Sequence, residues 1–177
     1  MAIASGSIQR DANHVPLQGN GIVITSTKTL TGNNTTVNVP IFTITGSVDI
    51  VTMYGVITTT LGANHTAASW RINDQTAQVY LTAVGGTALS AKTAGSMIVK
   101  EGLVATALTL IDNVAGAISE PAAAQGGVSS EIFITKKTGA LTQIEYCYTT
   151  TDAPTSGAIE FFVGYYPLSD DGNITAV

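Results

Sequence analysis

Side-chain types alternate most clearly over residues 157–167, GAIEFFVGYYP. Successive side chains of an extended chain point to opposite faces. One face of this segment is wholly apolar or aromatic, formed by Ile159, Phe161, Val163 and Tyr165. The other face is mixed, formed by Glu160, Phe162, Gly164 and Tyr166. A strand between a core and a wetter surface has this pattern. We therefore predict a central strand from Gly157 to Tyr166, ended by Pro167 and a turn at 169–172.

Other segments predict further short strands. The longest β-branched run, Val48–Leu61, is apolar on both faces and predicts a second buried strand. Val37–Thr45 predicts another, in which Pro40 indicates an edge position or a bulge. Glu131–Lys136 and Leu141–Tyr148 alternate as well. We expect these last two to pair in order with the strand that follows them, as a meander.

About nine or ten such strands, with turn signals every 8–12 residues or so, predict an all-β fold. The architecture we expect is an antiparallel β-sandwich, jelly-roll-like, over residues 21–177. Composition agrees, because threonine is the commonest residue and charged residues make up only 11% of the chain, under half the usual quarter. A surface this short of charge is either hydrated by Thr, Ser and Asn or buried against other subunits.

Residues 1–20 lack the two-residue alternation of apolar and polar side chains that is typical of a strand. We therefore predict that they form an extended N-terminal arm in front of the sandwich. Val15 precedes Pro16 and is therefore biased to an extended conformation. The arm either orders against another molecule or is a floppy terminus, as many termini are. The candidate assembly residues within it are Arg10, Asp11, Asn13, His14, Val15 and Pro16.

The charge pattern and the cysteine count exclude several classes of partner. The net charge is −5 and the seven Lys and Arg form no basic stripe, so we expect no direct contact with nucleic acid. A single cysteine, Cys147, excludes an intrachain disulfide. No segment has the pattern of a signal peptide or the ~20 apolar residues of a membrane span. We expect a protein made in the cytoplasm that has no membrane partner.

Few residues carry candidate catalytic chemistry. The two histidines, His14 in the arm and His65 in a predicted turn, lie in no nucleophile motif. Glu131, Glu145 and Glu160 each sit on the non-apolar face of a predicted strand. They would line one acid–base patch, as in a glycosidase, if the strands paired in order; otherwise they are solvated surface residues. We expect no enzyme activity.

Metal and sugar binding are the remaining site classes. Asp170-Asp171-Gly172-Asn173 offers oxygen ligands to Ca²⁺ but is first of all a turn. Cys147 lies mid-strand, where it is most simply a packing residue. Trp70, the only tryptophan, discriminates a carbohydrate-binding module from other sandwiches, because an exposed ring would stack on sugars and a buried one belongs to the core. We expect no cofactor and no metal.

The arm and the core of the chain resemble small β-rich virion structural proteins of tailed bacteriophages. The arm segment Ile8–Leu17, around RDANHVP at 10–16, resembles an "RDxNRVPV"-like start, with His14 where Arg is common. Within the core, residues 41–46, IFTITG, and 165–172, YYPLSDDG, resemble an "lFtVTG" strand and a "WrPLSxDG" ending, with Tyr166 in the place of a basic residue. The likeness spans most of the chain loosely, through short motifs.

This resemblance implies a virion protein, and our leading interpretation is a protein of the capsid decoration (cement or head-fibre) type. Its partners would be further copies of itself, most simply in a homotrimer, and the major capsid protein or another virion protein. It would be made in the host cytoplasm and located in the virion. A tail or fibre-base subunit and a carbohydrate-binding β-sandwich are the alternatives. The resemblance brings no catalytic or cofactor residues with it.

Overall fold

A computed structural model describes residues 21–32, 34–85, 87–100, 106–114, 132–136, 138–151 and 156–177. These residues form eleven β-strands in two antiparallel sheets, one strand more than the upper end of the range predicted from the sequence. The strands are β1 (Ile22–Thr29), β2 (Thr36–Thr45), β3 (Ser47–Thr59), β4 (His65–Asn73), β5 (Gln78–Tyr80), β6 (Met97–Val99), β7 (Thr109–Ile111), β8 (Ile132–Thr135), β9 (Thr142–Thr150), β10 (Ala158–Pro167) and β11 (Asn173–Ala176). Within those ranges no helix is long and apolar enough to cross a membrane.

The strand order is that of a rolled-up hairpin. β1 pairs with β10, β2 with β9, β3 with β8 and β4 with β5, and successive pairs lie in alternate sheets. β6 and β7 extend the six-stranded sheet beside β3, and β11 extends the five-stranded sheet beside β2. This nesting is the jelly-roll form of the β-sandwich, so the predicted fold class is confirmed.

The predicted meander of the last long strands is wrong. β8 and β10 lie in the six-stranded sheet on either side of β3, whereas β9 lies in the five-stranded sheet between β2 and β4. Each connection therefore crosses from one sheet to the other. Local alternation determines which side chains share a face, but it carries no information about the sheet to which a strand belongs.

β10 is the central strand that its alternation predicted. It lies between β1 and β3, and its four apolar-side residues, Ile159, Phe161, Val163 and Tyr165, are each at most 1% exposed. The Phe161 ring lies 5.0 Å from the Tyr146 ring of β9 and 6.4 Å from the Trp70 ring of β4, centroid to centroid. The core is therefore aromatic at its centre and joins the two sheets.

Pro40 marks a bulge in β2. The pairing of β2 with β9 shifts register between Pro40 and Phe42, as expected where a residue without an N–H interrupts the ladder. Beyond the bulge, Phe42 and Ile44 turn into the core.

The turn between β10 and β11 packs against the corner between β2 and β3 and forms hydrogen bonds with it. Gly46 has a φ of 56°, and a Cβ there would lie 2.5 Å from Ser169 Oγ, so glycine is required on both counts. The Ser47 N–H donates to the same Ser169 Oγ at 2.8 Å, and Thr45 Oγ1 donates to the Asp171 carbonyl at 3.0 Å. The motifs at 41–46 and 165–172 therefore form one structural unit.

Candidate interaction surface

The outer face of the five-stranded sheet is polar and centred on an ion pair. Arg71 Nε donates to Glu145 Oε2 at 2.6 Å, and Asn73 Nδ2 donates to the other carboxylate oxygen at 2.9 Å. Arg71 Nη1 also donates to Gln78 Oε1 at 2.7 Å. Burial disfavours the charged guanidinium, but the hydrogen bond and the charge of Glu145 outweigh it and raise the pKa of Arg71. Because the partners come from β4, β5 and β9, the network holds these strands together.

The outer face of the six-stranded sheet is apolar and aromatic. Tyr54 of β3 and Phe162 of β10 are cross-strand partners, and their rings stack at 4.6 Å with planes 7° apart. Their neighbours on this face come from β1, β3, β6, β8 and β10. We call the surface the aromatic face, and it consists of Val23, Thr25, Tyr54, Val56, Met97, Val99, Phe133, Phe162 and Tyr166.

Two members of the aromatic face protrude into solvent. Phe133 of β8 is 69% exposed and Val23 of β1 is 55% exposed. The outward-pointing residues of the described strands on this sheet include two acidic side chains, Asp49 and Glu160, and no basic one. A large apolar surface with little charge marks a site of interaction with another molecule.

The carboxylate patch that would have suited a glycosidase is not assembled by the residues that the structure describes. Glu145 lies on the outer face of the five-stranded sheet, whereas Glu160 lies on the outer face of the six-stranded sheet, paired with Thr27 and Val56. The core separates the two carboxylates. Glu131 lies outside the described residues.

His65 is not in a turn, as the sequence indicated, but begins β4 and is fully buried. Its Nε2 lies 2.8 Å from the Tyr146 hydroxyl, and its ring stacks on Tyr148 with centroids 4.4 Å apart. Burial lowers the pKa of His65 to about 4. The ring is therefore neutral at pH 7 and belongs to the core.

Cys147 is buried, as a packing residue would be. Burial raises the pKa of its thiol to about 12, an effect that nearby Arg71 opposes only in part. A thiol that stays protonated at pH 7 is a poor nucleophile.

The turn proposed as a calcium loop uses its oxygens within the protein. Asp171 Oδ1 accepts from Ser169 Oγ at 2.7 Å, and Asn173 Oδ1 accepts from the Tyr165 hydroxyl at 2.6 Å. No group of three or more His, Cys, Asp or Glu side chains that could hold a metal ion occurs in the described part of the chain. These contacts give the segment a structural role in the turn between β10 and β11.

Trp70 is only 1% exposed and packs edge-on against Phe161. It therefore offers no ring face to a sugar. The burial of Trp70 disfavours the carbohydrate-binding alternative.

The six candidate assembly residues of the arm, from Arg10 to Pro16, lie outside the described residues. No protein family model, no curated protein and no solved structure matches this chain. The sequence analysis identified neither the aromatic face nor the Arg71–Glu145 pair. The signal for the aromatic face was present, since Phe162 falls on the mixed face of one predicted strand and Tyr54 lies in a strand predicted to be apolar on both faces. Only the register of β3 and β10 brings the two rings together.

Proposed function

We propose that this chain is a structural protein of a bacteriophage virion, of the type that decorates the capsid shell. The aromatic face is the observation that carries the proposal. It is an extended apolar surface on one sheet of the sandwich, and it suits a protein whose role is to bind other protein surfaces.

Two further observations support this function. Jelly-roll sandwiches are common among viral capsid domains, which is support by analogy only. In addition, the two core motifs that resemble phage virion proteins are in contact, because Gly46 packs against the turn that contains Ser169 and Asp171. The two motifs, far apart in sequence, therefore build one corner of the fold.

The arm and the oligomer complete the proposal. A trimer presents three N-terminal arms to a symmetric shell. Once one arm has bound, the others bind at high effective concentration, so the combined affinity exceeds that of a single arm. This mode of attachment needs no active site.

Immunogold labelling of virions produced by the genome that encodes this chain tests the function. Antibody raised against the purified chain should label the capsid shell of intact particles. Label confined to the tail would replace decoration with the tail or fibre-base role. Purified virions that carry neither label nor peptides of this chain would refute a virion role.

A further inference from the structure

We propose that the aromatic face is the surface through which this chain packs against a second copy of itself. The inference rests on the proposed function, in which the protein is a homo-oligomer, and it assigns the self-contact to one side of the sandwich. The opposite side is polar and carries the Arg71–Glu145 network, whose side chains are buried and hydrogen-bonded to each other.

The contrast between the two outer faces is the first argument. In the five-stranded sheet, the outward positions of β4 and β9 hold Arg71, Asn73 and Glu145, which hydrogen-bond to one another. In the six-stranded sheet, the corresponding central positions hold Tyr54, Val56 and Phe162. An antiparallel sheet that faces water normally alternates apolar and polar positions. β3 and β10 instead carry apolar side chains on both faces, as strands covered on both sides do.

The size of the face is the second argument. With strands about 4.8 Å apart and residues about 3.3 Å apart, four to five strands give a flat area of roughly 20 Å by 30 Å. This is roughly 600 Å² before side-chain relief is added, against about 800 Å² per partner in a standard protein–protein interface. Two such faces in contact would bury about 1,200 Å² in total, which is the lower end of the range for specific protein–protein interfaces.

The third argument concerns charge, which favours a second copy of the chain over an anionic partner. The outward strand residues of the described face include no basic side chain, only Asp49 and Glu160, so an anionic surface such as nucleic acid or an acidic membrane gains nothing there. The whole chain has only 11% charged residues, so a second copy offers an equally charge-poor surface. Phe133, 69% exposed, is the residue we expect to contribute most, since aromatic side chains dominate such contacts.

Sedimentation of the full chain over a range of concentrations tests the inference, with Phe133→Ser and Val79→Ser compared with wild type. Val79 is a matched control, because it is 58% exposed but lies on β5 of the other sheet. Wild type should form multimers of 18.1 kDa. Phe133→Ser should weaken association at least about tenfold, and Val79→Ser should leave it unchanged. Thermal melts of each variant check that the fold is intact.

A thiol-protection experiment gives an independent reading. Cys147 is buried, so an engineered surface cysteine is the thiol expected to react in the folded protein. Thr25→Cys places one on the aromatic face, opposite Phe162, and Val79→Cys places one on the other sheet. Labelling of the Thr25→Cys thiol should slow as protein concentration rises, while labelling of the Val79→Cys thiol should stay constant.

Several outcomes would overturn the inference. These are a wild-type chain that remains monomeric at about 100 μM, equal weakening by Phe133→Ser and Val79→Ser, or concentration-independent labelling of both thiols. Binding of wild type but not Phe133→Ser to neutral phosphatidylcholine vesicles, without self-association, would assign the face to lipid instead. Virion labelling reports separately on the proposed function. A chain that self-associates through this face yet is absent from virions refutes that function and leaves the inference standing.

Discussion

Lowering the pH from 8 to 5 should destabilise the fold through one buried side chain, His65. Its Nε2 is hydrogen-bonded to the Tyr146 hydroxyl, but its Nδ1 has no hydrogen-bond partner among the described residues. A protonated imidazole is a donor at both nitrogens. Protonation would thus leave a donor unsatisfied in an aromatic core, which is why burial lowers the pKa of His65 from 6.5 to about 4.

The direction and size of the effect follow from linkage. Between pH 6.5 and pH 4 the unfolded chain binds a proton at His65 that the folded chain excludes. The stability due to the neutral ring is therefore fully present above pH 6.5 and is lost as the pH falls towards 4. At about 1.4 kcal/mol for each pH unit, the whole interval corresponds to about 3 kcal/mol. About 2 kcal/mol of it is lost by pH 5.

Urea unfolding at pH 8, 7, 6 and 5 measures this loss in wild type, His65→Gln and His14→Gln. The chain has only these two histidines, so His14→Gln is the matched control. Wild type and His14→Gln should each lose about 2 kcal/mol of unfolding free energy between pH 8 and pH 5 through His65. His65→Gln should lack that component, while losses due to carboxylates remain in all three proteins.

An unchanged pH dependence in His65→Gln would refute the reasoning. If that variant does not fold, NMR of the wild-type histidine rings decides the matter. The His65 ring should remain neutral in the folded protein at pH 5, and a ring that titrates near pH 6.5 in the folded state would contradict its burial among the tyrosines.

Three further predictions concern the core, the ion pair and the arm. Phe161→Ala should lower the unfolding free energy by about 3–5 kcal/mol through lost burial and a cavity, whereas Glu160→Ala, on the outer face, should change it by about 0.5 kcal/mol or less; equal losses in urea unfolding would contradict the assigned facing. Arg71→Met should cost about 3–5 kcal/mol by stranding the carboxylate of Glu145. Adding Glu145→Leu should recover much of that loss, and a double variant as unstable as the sum of the singles would argue against a coupled pair. Deleting residues 2–18 should leave the melting temperature almost unchanged but greatly reduce retention on virions, because the arms of an oligomer are lost together; undiminished retention would make the arm a passive terminus.

Alternation along single strands was sufficient to predict the fold class and much of the facing of side chains. The burial of Ile159, Phe161, Val163 and Tyr165 on one face of β10 is as predicted. The reason is that the two-residue period is a property of the local backbone and needs no knowledge of partners. Proline also acts on the local backbone, and the bulge expected from Pro40 is present in β2.

The contacts between residues of different strands could be known only from the tertiary structure, because they depend on which strands are neighbours. Glu145 and Glu160 are fifteen positions apart in the chain yet lie on opposite outer faces, because β9 and β10 belong to different sheets. Arg71 meets Glu145 across 74 positions. Tyr54 meets Phe162 only through the register of β3 and β10. Such contacts arise from long-range pairing of whole strands, which many sequences with the same local alternation could satisfy differently.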